Sequence, residues 1–169
     1  MPKNWRMLKN RAGAIQDMNP FMALEIGIAD FDGIEGERIQ QIRHSVFSME
    51  QKIDAALDLD GQDPGAVHVL AKVDQVFAGT GRMLGDGHIG RLAVLKLFRG
   101  KDVGKKLVEK LVEIAGERGM ERVFLGAQEH AVGFYRKLGF VEYGAAYVEA
   151  GILHVHMEKM IRPSNRIKR

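Results

Sequence analysis

The sequence predicts a mixed α/β fold, an α+β sheet with helices on its faces. Period-two apolar runs alternate with segments of helical period, and three of the strand-like runs follow one another as a meander ahead of the longest helix-like segment. A length of 169 residues with 46 % apolar side chains suffices for one core of ordinary size.

Leu24, Ile26 and Ile28 alternate with Glu25 and Gly27, the pattern of a strand with one buried face. From Ile34 to Phe47 the apolar residues Ile34, Ile39, Ile42, Val46 and Phe47 follow helical spacing, with Asp32 placed to cap the start. Residues 52–65 are acidic and broken by Gly61 and Pro64, so they read as a loop. Two β-prone runs, Val67–Val73 and Val76–Leu84, are separated by Asp74-Gln75, a short hairpin. Gly85-Asp86-Gly87 then turns the chain into a strand from His88 to Leu95. Val103, Leu107, Leu111, Ile114 and Ala115 recur at spacings of four and three, a helix stripe that Gly119 ends. A buried strand at Val123-Phe124-Leu125 follows. A short amphipathic helix from His130 to Leu138 is stopped by Gly139, and strands at Val141–Val148 and His154–Ile161 complete the domain.

Zero cysteines excludes disulfides, thiolate metal sites and a cysteine nucleophile. No apolar stretch reaches the roughly 20 residues a membrane helix needs, and the charged start is not followed by the apolar region of a signal peptide. The expected location is therefore cytoplasmic, with no membrane partner. The formal charge of +3 is uneven: residues 1–20 hold four basic and one acidic side chain, and residues 159–169 hold five basic and none. Residues 1–21 read as a partly disordered extension, 22–161 as the domain, and 162–169 as a basic, solubilising tail for which nucleic-acid binding is not expected. Serine is scarce, no His-Glu-x-x-His helix is present, and the nine methionines are scattered as core filling.

The chemistry concentrates after the passage Arg91–Leu95 of the strand predicted from His88. The run Arg99-Gly100-Lys101-Asp102-Val103-Gly104-Lys105 hands a strand to a helix through a glycine-containing turn. Such a turn exposes unpaired N–H groups at the positive end of a helix dipole and suits a phosphate. The alternative is an ordinary strand-turn-helix connection with a solvated basic face. The run fits neither the Walker nor the Rossmann pattern.

From Gly90 to Phe140 the chain resembles the core of the GNAT acetyltransferase superfamily. That family's Arg/Gln-x-x-Gly-x-Gly/Ala motif aligns with Arg99, Gly100, Lys101, Asp102, Val103 and Gly104, and its Phe-Tyr-x-x-x-Gly-Phe signature aligns with Phe134 to Phe140. Matches at Arg43, Val46, Phe47, Glu50 and Gln51, at Asp58–Asp63, at Leu125–Gln128 and at Gly151–His154 are similar to the ElaA-like branch. The resemblance implies the acyl-CoA N-acyltransferase fold and transfer of acetyl from acetyl-CoA to a primary amine, on a small molecule or a peptide, without a metal; a homodimer is compatible with it. It further implies that Leu92, Ala93 and Val94 pair with the pantetheine arm like an added strand, that residues 99–105 hold the diphosphate, and that Gln128 and Phe134 flank the cofactor. Asp102 stands where the family motif has its first glycine. A carboxylate about 6 Å from a phosphate costs about 2–3 kcal/mol at an effective dielectric of about 20.

Without a thiol, the simplest route is direct attack of the amine in a ternary complex. An alkylamine of pKa about 10.4 needs about 4.6 kcal/mol to lose its proton at pH 7, so a base or a water chain is expected. Tyr135 is the candidate acid for the departing thiolate; the other reading is a tyrosine that packs its helix on the sheet. Glu50, His154 and also His88 are candidate bases, against the alternative of structural side chains. His154 and His156 are taken to point to opposite sides of one strand and so not to chelate one metal together. Arg43, Arg82 and Arg91 either pair with acids of the chain or meet a substrate carboxylate. The acidic loop 54–63 suggests a cationic or amine-rich acceptor. The rival function is a noncatalytic acyl-CoA-binding sensor or partner module.

Overall fold

The computed structural model describes residues 23–161, so the expectations for the 1–21 extension and the 162–169 tail fall outside the described residues. Strands β1 (Leu24–Ala29), β2 (Val67–Val73), β3 (Val76–Met83) and β4 (Ile89–Val94) form one antiparallel sheet in that order. A second sheet holds β5 (Arg122–Gln128), β6 (Val141–Glu142), β7 (Tyr147–Glu149) and β8 (Ile152–Met160), with β8 between β5 on one side and β6 and β7 on the other. Helices α1 (Ile34–Arg43), α2 (Ala55–Asp58), α3 (Val103–Glu117) and α4 (Val132–Lys137) complete the described chain.

The first sheet is covered on both faces. Val103, Leu107, Val108, Leu111, Ile114 and Ala115 of α3 are buried with Val69, Ala71 and Met83 of the strands and with Val123 and Leu125 of β5. Ile39 and Ile42 of α1, with Val46 after it, bury against Leu70 and Ala93, which point the opposite way. Each fully buried aliphatic side chain of this kind contributes about 1.5–3 kcal/mol of transfer free energy.

The sheets meet at a single point. The Phe124 N–H donates to the Gly87 carbonyl at 3.1 Å, and His88 bridges Phe124 in parallel sense. Beyond this bridge β4 and β5 share no ladder, so the two strands part. A register shift between Thr80 and Arg82 on β3, with Arg91 opposite at φ 49°, marks a bulge that bends β4 where the parting begins. The outer edge of β4 is thereby left without a neighbouring strand.

Local chemistry explains where elements depart from the sequence reading. Asp32 does not cap α1: Gly33 occupies the cap position without a side-chain bond, and the Asp32 N–H instead donates to the Asp30 carboxylate at 3.0 Å. Gly36 is required in the first turn, because a Cβ there would lie 1.7 Å from the Phe31 carbonyl oxygen. The helix beyond Arg43 widens into a π-type turn over His44–Glu50. The acidic loop contains α2, whose start is capped by Asp54 accepting from the Ala56 N–H at 2.9 Å. The expected strand Val141–Val148 breaks into β6 and β7 around Gly144, whose φ of 66° leaves the extended region.

Candidate active site

Where β4 and β5 separate, a cleft of about 670 Å³ opens between the sheets. Leu92, Gln128, Tyr135 and His154 line it together. One flank is apolar, from Phe47, Ile53, Leu84 and Leu125; the other is aromatic and polar, from His88, Tyr147, His154 and His156.

Beneath the cleft the acidic loop is bound to arginines. Arg43 donates Nε to Asp58 at 2.8 Å and Nη1 to Asp63 at 2.9 Å; Arg82 donates Nη1 to Asp63 at 3.0 Å and Nη2 to Asp60 at 2.7 Å. Arg91 reaches both Asp58 and Asp60 at 3.1 Å. Asp58, Asp60 and Asp63 are thus matched by three guanidiniums, which corrects the expectation that this loop's acidity attracts a cation. Three of its four carboxylates are spent internally, Asp54 capping α2 instead, and the three arginines take the internal-pairing alternative. His68 joins the cluster, its Nε2 bonded to the Asp63 carbonyl at 2.9 Å and its ring stacked on Phe31.

These contacts give stability a pH dependence. Hydrogen bonds from Arg82 hold the Asp60 carboxyl well below its ordinary value. Burial pushes Asp63 up, but the bonds from Arg43 and Arg82 outweigh it and leave that carboxyl lowered. Burial pushes His68 and His88 down. All four groups bind protons more readily in the unfolded chain, so stability falls as pH descends. The expected unfolding free energy is flat from pH 7 to 8, declines as pH passes below about 6.5 through the histidines, and falls again below about 4 through the carboxylates. Urea titrations across this range would show it; a stability maximum near pH 5 would contradict it.

The loop ahead of α3 has a distinct backbone. Gly100 and Asp102 both lie in the left-handed region, at φ 74° and 62°. Asp102 occupies the cap position of α3 without a side-chain capping bond. Aspartate tolerates this conformation better than most residues. The first helical bond runs from the Lys106 N–H to the Asp102 carbonyl at 3.0 Å, so among the described residues the N–H groups of Gly100 through Lys105 have no hydrogen-bond partner. Six orphan donors open the fifteen-residue helix α3. An anion with several oxygens fits them, and a diphosphate is such a group. Val94 and Phe134 lie beside the loop: a Cβ on Gly104 would stand 3.5 Å from the Phe134 ring and 3.6 Å from the Val94 side chain.

Arg99 bends back from the same loop, donating Nε to the Val94 carbonyl at 3.0 Å and pairing with Glu50 at 2.9 Å. Glu50 lies outside the cleft wall and is engaged by this cation. The structure does not bring it to Tyr135 and His154. Next to it, Gln51 exchanges two side-chain bonds with Gln128, at 3.3 and 2.8 Å, tying the π-type turn to the end of β5. Tyr135 is buried, its ring edge-on to Phe134 and Phe140 at 4.9 and 5.8 Å, and no described residue bonds its hydroxyl. His154 is 8 % exposed, and its Nδ1 lies 2.7 Å from the Ile152 carbonyl. A carbonyl only accepts, so Nδ1 carries the proton and the neutral ring keeps its lone pair on Nε2.

The model for the acetyltransferase (GNAT) domain family matches residues 34–161. The chain belongs to the GNAT acetyltransferase family. It is 36 % identical over 127 residues to YyaT of Bacillus subtilis, an alignment covering 72 % of this chain and 86 % of that one. It is 33 % identical over 130 residues to ElaA of Escherichia coli, covering 72 % and 84 %, which puts this GNAT protein in the ElaA-like branch. The ElaA crystal structure superposes with a TM-score of 0.71 at 28 % identity over 81 % of this chain and 99 % of that one. An acyl-CoA N-acyltransferase from Pseudomonas aeruginosa gives 0.70 at 27 % identity over 81 % and 99 %.

One expectation about this GNAT protein is overturned by strand geometry. His154 and His156 face the same side of β8, because side chains two residues apart on a strand share a face. Both stack on Tyr147, at 5.3 and 4.4 Å between ring centroids. Among the described residues no group of three or more histidines and carboxylates is arranged to hold a metal ion, and no helix is long and apolar enough to cross a membrane. Sequence reasoning missed Tyr147 and the reach of Gln51 to Gln128. The usable signal for Tyr147 was its place shortly before the Gly151–His154 match, at hairpin distance from His154.

Proposed function

We propose that the domain at 22–161 transfers acetyl from acetyl-CoA to a primary amine by direct attack. The observation that carries this reading is the row of orphan N–H groups from Gly100 to Lys105, beside Phe134, next to the cleft that Tyr135 of α4 and His154 of β8 line together. In this reading residues 99–105 bind the diphosphate. The edge of β4 at Leu92, Ala93 and Val94, which has no neighbouring strand, accepts the pantetheine arm as an extra strand, and Phe134 and Gln128 bound its path. The acyl-CoA named for the Pseudomonas aeruginosa neighbour supports the choice of donor.

His154 is the base: its bare Nε2 takes the proton that the acceptor nitrogen must shed. The nitrogen–carbonyl bond forms, the carbon–sulfur bond breaks, and sulfur leaves as a thiolate, which takes up the second proton that the nitrogen loses on becoming an amide. Tyr135 donates a hydrogen bond to that sulfur. Burial pushes its phenol well above the ordinary value, so it keeps its proton at every working pH and acts as a donor. Glu50 orients Arg99 in place of serving as a base.

Calorimetry with acetyl-CoA and thiol release over a panel of amines test this proposal. Saturable heat and amine-dependent thiol release are expected; neither signal at millimolar coenzyme would overturn it. Asp102→Gly removes a carboxylate beside the orphan donors. Solvent screening at this exposed site reduces the gain to about 1 kcal/mol, or about fivefold tighter coenzyme binding, with the gain shrinking as salt is added.

A further inference from the structure

The aromatic flank of the cleft has no task in the transfer chemistry beyond His154. Its centre is the β7–β8 hairpin. Tyr147 and Glu149 lie two residues apart on β7, so their side chains share a face, and both line the cleft. Tyr147 packs against His154 and His156, and its hydroxyl occupies the space above Gly126, where a Cβ would come within 1.9 Å of it. On the same flank, the His88 ring lies flat on Phe124 at 4.9 Å. The hairpin turn is two residues long, Ala150 at φ 50° and Gly151 at φ 74°, a tight form that fixes the pairing of Glu149 with Ile152. Glu149 is therefore presented by a defined turn.

Charge singles out the same residue. Asp58 and Asp60 at the cleft wall, and Asp63 behind them, are each held by arginines. Glu149 has no ion-pair partner among the described residues. The wall thus carries one uncompensated carboxylate beside an aromatic face, the pairing that recognises an organic cation.

We propose that this flank is an acceptor subsite for a second cationic centre, so that the preferred substrate is a diamine or a longer polycationic amine whose distal ammonium lies between the Glu149 carboxylate and the Tyr147 ring. The inference rests on the transferase reading and adds the class of acceptor. One amine is acetylated near His154 while the other anchors at the hairpin.

The test compares thiol release from acetyl-CoA with 1,4-diaminobutane, 1-aminobutane and 4-aminobutanoate. For the native protein kcat/KM should be about tenfold higher for the diamine than for the monoamine, and lowest for the amino acid. Glu149→Gln should collapse the diamine-to-monoamine ratio to near one, and Glu149→Lys should raise the 4-aminobutanoate-to-diamine ratio. If the native protein acetylates both amines with a ratio that Glu149→Gln leaves unmoved, the subsite is wrong and the transferase reading stands. If no amine releases thiol, the transferase reading falls and takes this inference with it.

Discussion

Replacing Tyr135 with phenylalanine is expected to lower kcat about a hundredfold, the lower end of what a hydrogen-bond donor aimed at developing charge supplies, while coenzyme affinity changes less than twofold. The ring itself is structural: it meets Phe134 and Phe140 edge-on and sits in the main core cluster. Phenylalanine keeps those contacts, so folding is preserved and the measurement isolates the hydroxyl. No hydrogen bond within the described residues engages the hydroxyl, and Tyr135 lines the cleft. A loss of kcat with KM for acetyl-CoA nearly constant marks an interaction made as sulfur departs. An unchanged kcat would leave Tyr135 as a packing residue and remove the donor from the mechanism.

Asp63→Ala is expected to destabilise the fold by about 3–5 kcal/mol, because it strands buried charge. Arg43 is 1 % and Arg82 4 % exposed, and both bond the same Asp63 oxygen. Removing that oxygen leaves two guanidiniums short of a partner where water cannot replace it, and the loop that lines the cleft loses its anchor. A fall in the unfolding midpoint of about 10 °C or more follows from that loss. Asp54→Ala, which removes only an exposed helix cap, is the matched control at about 1 kcal/mol. Equal losses in the two variants, read by urea unfolding, would show that the buried cluster carries no special weight.

Local signals were legible wherever the chemistry is local. The apolar stripe of α3, the alternation in β1 and the turn at Asp74-Gln75 each state their conformation within a few residues, and the motif from Arg99 to Gly104 marks the helix start that holds orphan donors. The acidic loop was legible as acidic but not as neutralised. Its partners Arg43, Arg82 and Arg91 come from 15 to 33 residues away along the chain. Asp102 as a left-handed cap and the π-type turn at His44–Glu50 depend on how the flanking elements dock, and no residue spacing announces them.

By itself the sequence determined the order of the principal helices and strands, the family of the chain and the turn that suits a diphosphate, since periodicity and turn chemistry act between near neighbours. Only the tertiary structure decided that Glu50 is tied to Arg99, that Tyr147 stacks on His154 and His156, and that Glu149 is the cleft carboxylate left without an ion pair among the described residues. Each of these is a question of which distant charge or ring arrives beside which, and that is settled by the parting of two strands that the bulge at Arg91 bends away from each other.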